Sequence, residues 1–240
     1  MMGSIAFKHL VLSPGHAIWR LSGDPLADSS WYLRDYQTGE PRFYLKHIRY
    51  AVELASADPT ALLIFSGGQT FAEAGPRSEA LGYWMLAEHS GWWGSAGARA
   101  RSITEDFALD SFQNVLFALC RFHEFTGGWP DKITVAGWGF KAQRFVDSHR
   151  SALRFPAERF HYAPVNDPVD SDAAGRAEAS NRAEFDTDPY GCWGTLARKR
   201  GSRDPFRRRH GYRESCPELR ALLEHRGPEL FCGPLPWDTL

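Results

Sequence analysis

The chain has 240 residues, 43% of them apolar and 24% charged, with a formal net charge of −1. That length allows one large α/β domain with a sizeable core, or one domain with an appendage. The charge balance argues against nucleic acid as a whole-protein partner, and no apolar run approaches the roughly 20 residues of a membrane helix.

Taken in order, the N-terminal MMGSIAFKHLVLSPGH lacks a long apolar region ahead of a small-residue cleavage site, so it reads as a first strand rather than a secretory signal. Cys120, Cys192, Cys216 and Cys232 are then expected as reduced thiols in a cytoplasmic protein. The strand, residues 7–13, stops in Pro14-Gly15-His16. Residues 21–41 are polar and read as a loop with one helical turn. Residues 43–56 carry Leu45, Ile48, Val52 and Ala55 at helical spacing, and Asp58-Pro59 ends them. Residues 61–65 are an apolar run of the kind buried in a parallel sheet. They stop in Ser66-Gly67-Gly68-Gln69-Thr70, where a glycine pair lets backbone N–H groups approach a ligand.

Gly75-Pro76 opens a helix over 77–89 with Ala80, Tyr83, Trp84 and Ala87 on one face. Residues 101–106 are short and β-favouring. A helix over 110–126 follows, ended by Gly127-Gly128. A strand over 132–136 stops in Gly137-Trp138-Gly139, 140–153 read as helix, and 160–164 as a further strand. Strands alternating with helices predict an α/β fold, a Rossmann-like three-layer sandwich with a mostly parallel sheet. Its domain spans residues 1–165. Residues 166–240 form an extension packed on the same domain, with an exposed helix within 167–184 after an acidic loop and an arginine-rich run over 198–213.

Three strands ending in glycine turns would open at one edge of a parallel sheet and make a ligand crevice there. Glu105, at a strand-to-helix junction, is the candidate polar anchor or general base; the competing reading is a helix N-terminal acid. His16 is a second candidate catalytic group because it lies in a strand-end turn. Gly15, Ser66, Gly67, Gly68, Gln69 and Thr70 would line the crevice. Glu79, Ser111 and Asn114 stand at helix starts, where capping competes with ligand binding. Lys141 and Arg144, one turn apart, could clamp a phosphate or carboxylate. The run at 198–213 reads as intramolecular pairing or an anion site in preference to a nucleic-acid patch. No metal site is expected, since Cys192, His210, Cys216 and Cys232 form no CxxC pair. The chain contains no GxSxG, GxxxxGK[ST] or GxGxxG motif.

The series Ser66-Gly67-Gly68-Gln69, Ser78-Glu79-Ala80, Thr104-Glu105 and Asp110-Ser111-Phe112-Gln113-Asn114 resembles the YdcF/SanA/ElyC-like family, a domain of unknown function, over residues 7–155. LLIFSGGQT, GPRSEA, SFQN, ALRFP and DPYGC resemble its fungal cytosolic branch. The resemblance implies a Rossmann-like fold with the ligand site at the strand ends. It adds weight to Ser66, Gly67, Gly68, Gln69, Glu79, Glu105, Asn114 and Arg144. It also implies a nucleotide-like ligand, with S-adenosylmethionine as a candidate. Bacterial relatives have a His three residues ahead of an Arg after the third strand; this chain keeps Arg144 and has Lys141 in the preceding turn.

These residues support an enzyme of small-molecule metabolism that binds a nucleotide-like or phosphorylated ligand and carries out transfer or hydrolysis. The competing reading is a non-catalytic ligand-binding or sensor protein of the same fold. A third is an interaction protein whose basic segment docks an acidic partner. The oligomeric state is open.

Overall fold

The computed structural model describes residues 6–166 and 171–238. The acidic loop expected around 167–170 lies outside the described residues. Strands β1 (His9–Pro14), β4 (Ala61–Ser66), β5 (Ser102–Glu105), β6 (Lys132–Trp138) and β7 (Phe160–Asn166) form one sheet in the order β5-β4-β1-β6-β7. Every neighbouring pair is parallel. Numbered by chain order among these five, the sheet reads 3-2-1-4-5, the doubly wound order. Its direction of winding reverses between β1 and β6.

The apolar runs become strands because both faces are covered. β1 and β4 are buried at all six positions, and fully burying one Leu or Ile side chain stabilises by about 1.5–3 kcal/mol. Helix α1 (Pro41–Ala57) turns Tyr44, Ile48, Ala51, Val52 and Ala55 onto one face. With α2 (Glu79–His89) it packs on Val11, Leu63 and Phe65. Short α3 (Ala96–Ala100) adds Ala98 to the same layer. Helix α4 (Ser111–Thr126) covers Leu10, Leu12, Leu62 and Ile64 on the other face and ends at Gly127, whose φ of 73° suits glycine.

The polar segment expected to be a loop, residues 21–41, also holds strand β3 (Trp31–Tyr32), which pairs antiparallel with β2 (Ile18–Trp19) just ahead of that segment. Trp31 anchors it against Tyr44 and Tyr83, a long-range contact that local composition does not show. After β6 the chain turns helical at Gly139–Lys141, widens into a π-helical stretch over Arg144–His149 and closes in α5 (Arg150–Ala152). The wide turn brings both Arg144 and His149 inward, as π-bulges at functional sites often do.

The extension contributes α6 (Ser171–Thr187), α7 (Gly194–Ser202), α8 (Tyr212–Ser215) and α9 (Arg220–Glu224). Phe185, Leu196, Tyr212, Leu222 and Trp237 lie in the same core cluster as Leu10 and Ile133 of the sheet. No helix among the described residues is long and apolar enough to cross a membrane.

Candidate functional site

A cavity of about 980 Å³ opens where the winding reverses, between the ends of β1 and β6. That is where open α/β sheets bind their ligands. The turn after β1 gives Gly15 and His16, and the helical stretch after β6 gives Phe140, Lys141 and Arg144. The start of α4 supplies Asp110, Ser111 and Asn114, and α2 supplies Glu79. The segment before α1 adds Arg34, Gln37 and Glu40, the first turn of α1 adds Phe43, and the extension adds Glu178 and Arg203.

The lining is electropositive. Arg34, Arg42, Lys141, Arg144, Lys199 and Arg203 face Glu40, Glu79, Asp110 and Glu178. Most of that negative charge is engaged or weakened. Asp110 caps α4 and accepts from Arg200 Nε at 2.7 Å. Glu178 meets Arg144 at 3.0 Å. Glu79 accepts from the Thr70 hydroxyl at 2.6 Å, and burial pushes its carboxyl above the usual range. Glu40 accepts from Tyr44 at 2.5 Å and is likewise pushed up by burial. Lys141 is half-buried; burial, then the Arg144 charge, lower its ammonium to about 8. No carboxylate of the described residues pairs with Lys141 or Arg203; Arg203 donates instead to the Leu109 carbonyl at 3.1 Å.

His16 closes the β1 side. Gln37 Nε2 donates to its carbonyl at 2.6 Å, and its ring lies among Tyr44, His47 and Trp138. Burial, then the Lys141 charge, hold its pKa well below 6.5, so the imidazole is neutral. Its Nε2 is buried without a partner. Phe43, Trp138 and Phe140 form an aromatic wall, with centroids 5.2 Å apart for Phe43–Trp138 and 5.7 Å for Trp138–Phe140. Cations beside an aromatic wall suit an anion that carries a planar or apolar part. Among the described residues no group of three His, Cys, Asp or Glu gathers as a metal site.

Of the residues singled out from sequence, Gly15, His16, Glu79, Ser111, Asn114, Lys141 and Arg144 line this cavity. Ser66, Gly67, Gly68, Gln69, Thr70 and Glu105 do not. The SGGQT loop follows β4, one strand away from the reversal, and it serves packing. A Cβ on Gly67 would meet Glu79 Oε2 at 2.6 Å, and one on Gly68 would meet the Ala108 carbonyl at 2.8 Å. Gln69 Nε2 donates to the Pro76 carbonyl at 2.8 Å. Ser66 is fully buried beneath Asn114.

Glu105 is also fully buried, and its oxygens are taken up inside the protein. They accept from Phe107 N at 2.8 Å, Ala108 N at 3.3 Å, Ser66 Oγ at 2.7 Å and Tyr212 Oη at 2.9 Å. It therefore touches no ligand directly, contrary to its expected position in the crevice. Burial raises its carboxyl to about 7. The arginine-rich run is largely paired within the chain: Lys199 with Glu184, Arg200 with Asp110, and Arg208 with the Asp106 carbonyl.

Arg34, Gln37, Glu40, Phe43, Glu178 and His149 were not legible as site residues. Gly39, with a φ of 78°, stands beside Glu40, but it ends no apolar strand, and no motif marks these segments. For Arg203 the basic run was the signal.

No family model matches the chain, and no solved structure matches it. Among curated proteins, an uncharacterized protein of Saccharomyces cerevisiae, YOR238W, is 27% identical over an alignment of 274 residues covering 90% of each chain.

Proposed function

We propose that the protein binds a phosphorylated or nucleotide-like small molecule across the β1–β6 reversal and acts on it by group transfer or hydrolysis. The observation that carries this reading is that cavity cations, Lys141 and Arg203 among them, are left without carboxylate partners among the described residues beside an aromatic wall. Lys141 sits in the first turn after β6, where helix N–H groups add to the attraction for an anion. His16, neutral and lining the cavity, is the group assigned to accept a proton from an attacking water or hydroxyl. Lys141 would hold the charge that builds on the leaving oxygen.

The motif series that resembles the YdcF/SanA/ElyC-like family supports kinship with that family and a nucleotide-like ligand. S-adenosylmethionine ranks below phosphorylated ligands, because its sulfonium would enter a cavity where the free charges are positive. A cytoplasmic location is part of this proposal.

A panel of nucleotides, sugar phosphates and S-adenosylmethionine, read by thermal shift and by turnover, tests it. Phosphorylated compounds should stabilise the wild type, not a Lys141→Met/Arg203→Met variant, and His16→Gln should bind but not turn over. If no phosphorylated compound stabilises the wild type more than the double variant, the reading fails.

A second reading, a binding protein without catalysis, is favoured by the engagement of Glu40, Glu79 and Glu178. It predicts a ligand recovered unchanged, with equal binding by wild type and His16→Gln.

A further inference from the structure

The wall opposite the cations carries proton-level information about the ligand. Asn114 is 7% exposed and faces the cavity from α4, while its amide also lies 2.8 Å from Ser66 Oγ. Ser66 is in turn 2.7 Å from Glu105 Oε2. A serine hydroxyl has one proton, so Ser66 cannot donate to both Glu105 and an Asn114 oxygen. As a carboxylate, Glu105 is an acceptor for every group around it: the Phe107 and Ala108 N–H groups and the Tyr212 and Ser66 hydroxyls. The Ser66 proton therefore belongs to Glu105. Ser66 Oγ must then accept, and the Asn114 group facing it is the NH2. An amide's two ends look alike in heavy-atom geometry, and the network decides between them. The Asn114 oxygen is left toward the cavity.

One turn earlier on α4, Ser111 also lines the cavity, with its Oγ 2.8 Å from His149 Nε2. His149 is fully buried among Phe112, Phe145 and Phe185, and its Nδ1 has no partner. A stranded N–H is costlier than a stranded lone pair, so the proton sits on Nε2 and is donated to Ser111. The Ser111 hydroxyl proton is thereby free for the cavity. Ser111 and Asn114 present a donor and an acceptor side by side.

We propose that Ser111 and Asn114 bind a free hydroxyl of the ligand, which donates to Asn114 and accepts from Ser111, and that Ser66 and Glu105 are the positioning residues that fix Asn114. The ligand is then a hydroxyl-bearing phosphate: a polyol phosphate, or a nucleotide whose ribose supplies the hydroxyl. This rests on the anion-binding reading above and narrows it.

The test measures binding of 2-hydroxyethyl phosphate, 2-fluoroethyl phosphate and ethyl phosphate at pH 8 by calorimetry. In parallel, adenosine 5′-monophosphate is compared with its 2′,3′-dideoxy form. Fluorine cannot donate, so wild type should prefer the hydroxyl compound over both analogues by about five- to tenfold, the worth of one hydrogen bond. Asn114→Leu and Glu105→Gln should shrink the ratio below about twofold while ethyl phosphate binding is kept. A ratio carried by the small pair points to a polyol phosphate; one carried by the nucleotide pair points to a ribose. Should Asn114→Leu fail to fold, the wild-type ratio and Glu105→Gln decide. Equal wild-type binding of the three small phosphates, together with equal binding of adenosine 5′-monophosphate and its dideoxy form, overturns the hydroxyl assignment and leaves the anion site standing. Failure of every phosphate to bind overturns the anion site itself, and this proposal with it.

Discussion

Arg144 and Glu178 meet at 3.0 Å with both side chains under a tenth exposed, yet neither Arg144 Nε nor Glu178 Oε1 makes an aligned hydrogen bond. The charges attract, but the N–H does not point at the oxygen. A buried pair held this way has paid desolvation without the hydrogen bonds that offset it. In the proposed site, an anion entering beside Lys141 would compete with Glu178 for Arg144.

Glu178→Gln should therefore bind inorganic phosphate several-fold more tightly than wild type. Without phosphate, a buried Arg144 left unpaired should destabilise by about 3–5 kcal/mol. Phosphate should recover more melting temperature in this variant than in wild type. An equal phosphate-induced shift in both proteins would show that Glu178 does not compete.

Anion affinity should fall as pH rises through 8. Lys141 is lowered to about 8 by burial and then by Arg144, so its positive charge is present below that pH and lost above it. Sulfate keeps a constant charge over this range. Its affinity should drop up to about tenfold between pH 7 and pH 9, following the protonated fraction of Lys141. In Lys141→Met the curve should be flat. A wild-type curve just as flat would remove Lys141 from the anion site.

Gly15→Ala should destabilise the fold. A Cβ there would meet Glu79 Cβ at 2.5 Å and the Ser66 carbonyl at 3.3 Å. Both neighbours are fixed by the sheet and α2, so the cost should be about 1–3 kcal/mol in urea unfolding. A neutral substitution would mean that α2 does not press on the strand end as described.

Glu105 makes stability depend on pH in a set direction. Its folded carboxyl is raised to about 7 and its ordinary value is 4.5, so the folded state binds the extra proton. That contribution is fully present below pH 4.5 and is lost as pH rises through 7, about 3 kcal/mol in all. The groups facing it are the Ser66 and Tyr212 hydroxyls, the Phe107 and Ala108 amides, and the Asp106 and Cys120 side chains. The urea midpoint of wild type should decline from pH 5 to pH 8, and that of Glu105→Gln should decline less. Parallel curves would assign the dependence elsewhere.

Much of the fold could be read from local pattern, because a strand covered on both faces is a continuous apolar run and a helix repeats at its own period. The run from Ala61 to Phe65 and the spacing of Leu45, Ile48, Val52 and Ala55 carry that information by themselves. The site was half legible. Gly15, His16, Lys141 and Arg144 follow the two strands that flank the reversal, so strand ends found them. Strand ends also pointed to Ser66–Thr70, since sequence does not show that β4 lies one place away from that reversal. Glu105 was misplaced for a related reason. A carboxylate after a strand predicts an exposed edge, and nothing nearby reveals that Tyr212, 107 residues later, covers it. Arg34, Glu40 and Glu178 reach the cavity from segments whose position depends on contacts with distant parts of the chain.

The most direct test is to identify what the protein retains. Wild type and Lys141→Met/Arg203→Met are purified in parallel, denatured, and the released small molecules identified by mass spectrometry. A hydroxyl-bearing phosphate should be recovered in stoichiometric amount from wild type and be absent from the variant. Recovery of the same molecules in the same amounts from both proteins would contradict an anion site at the β1–β6 reversal.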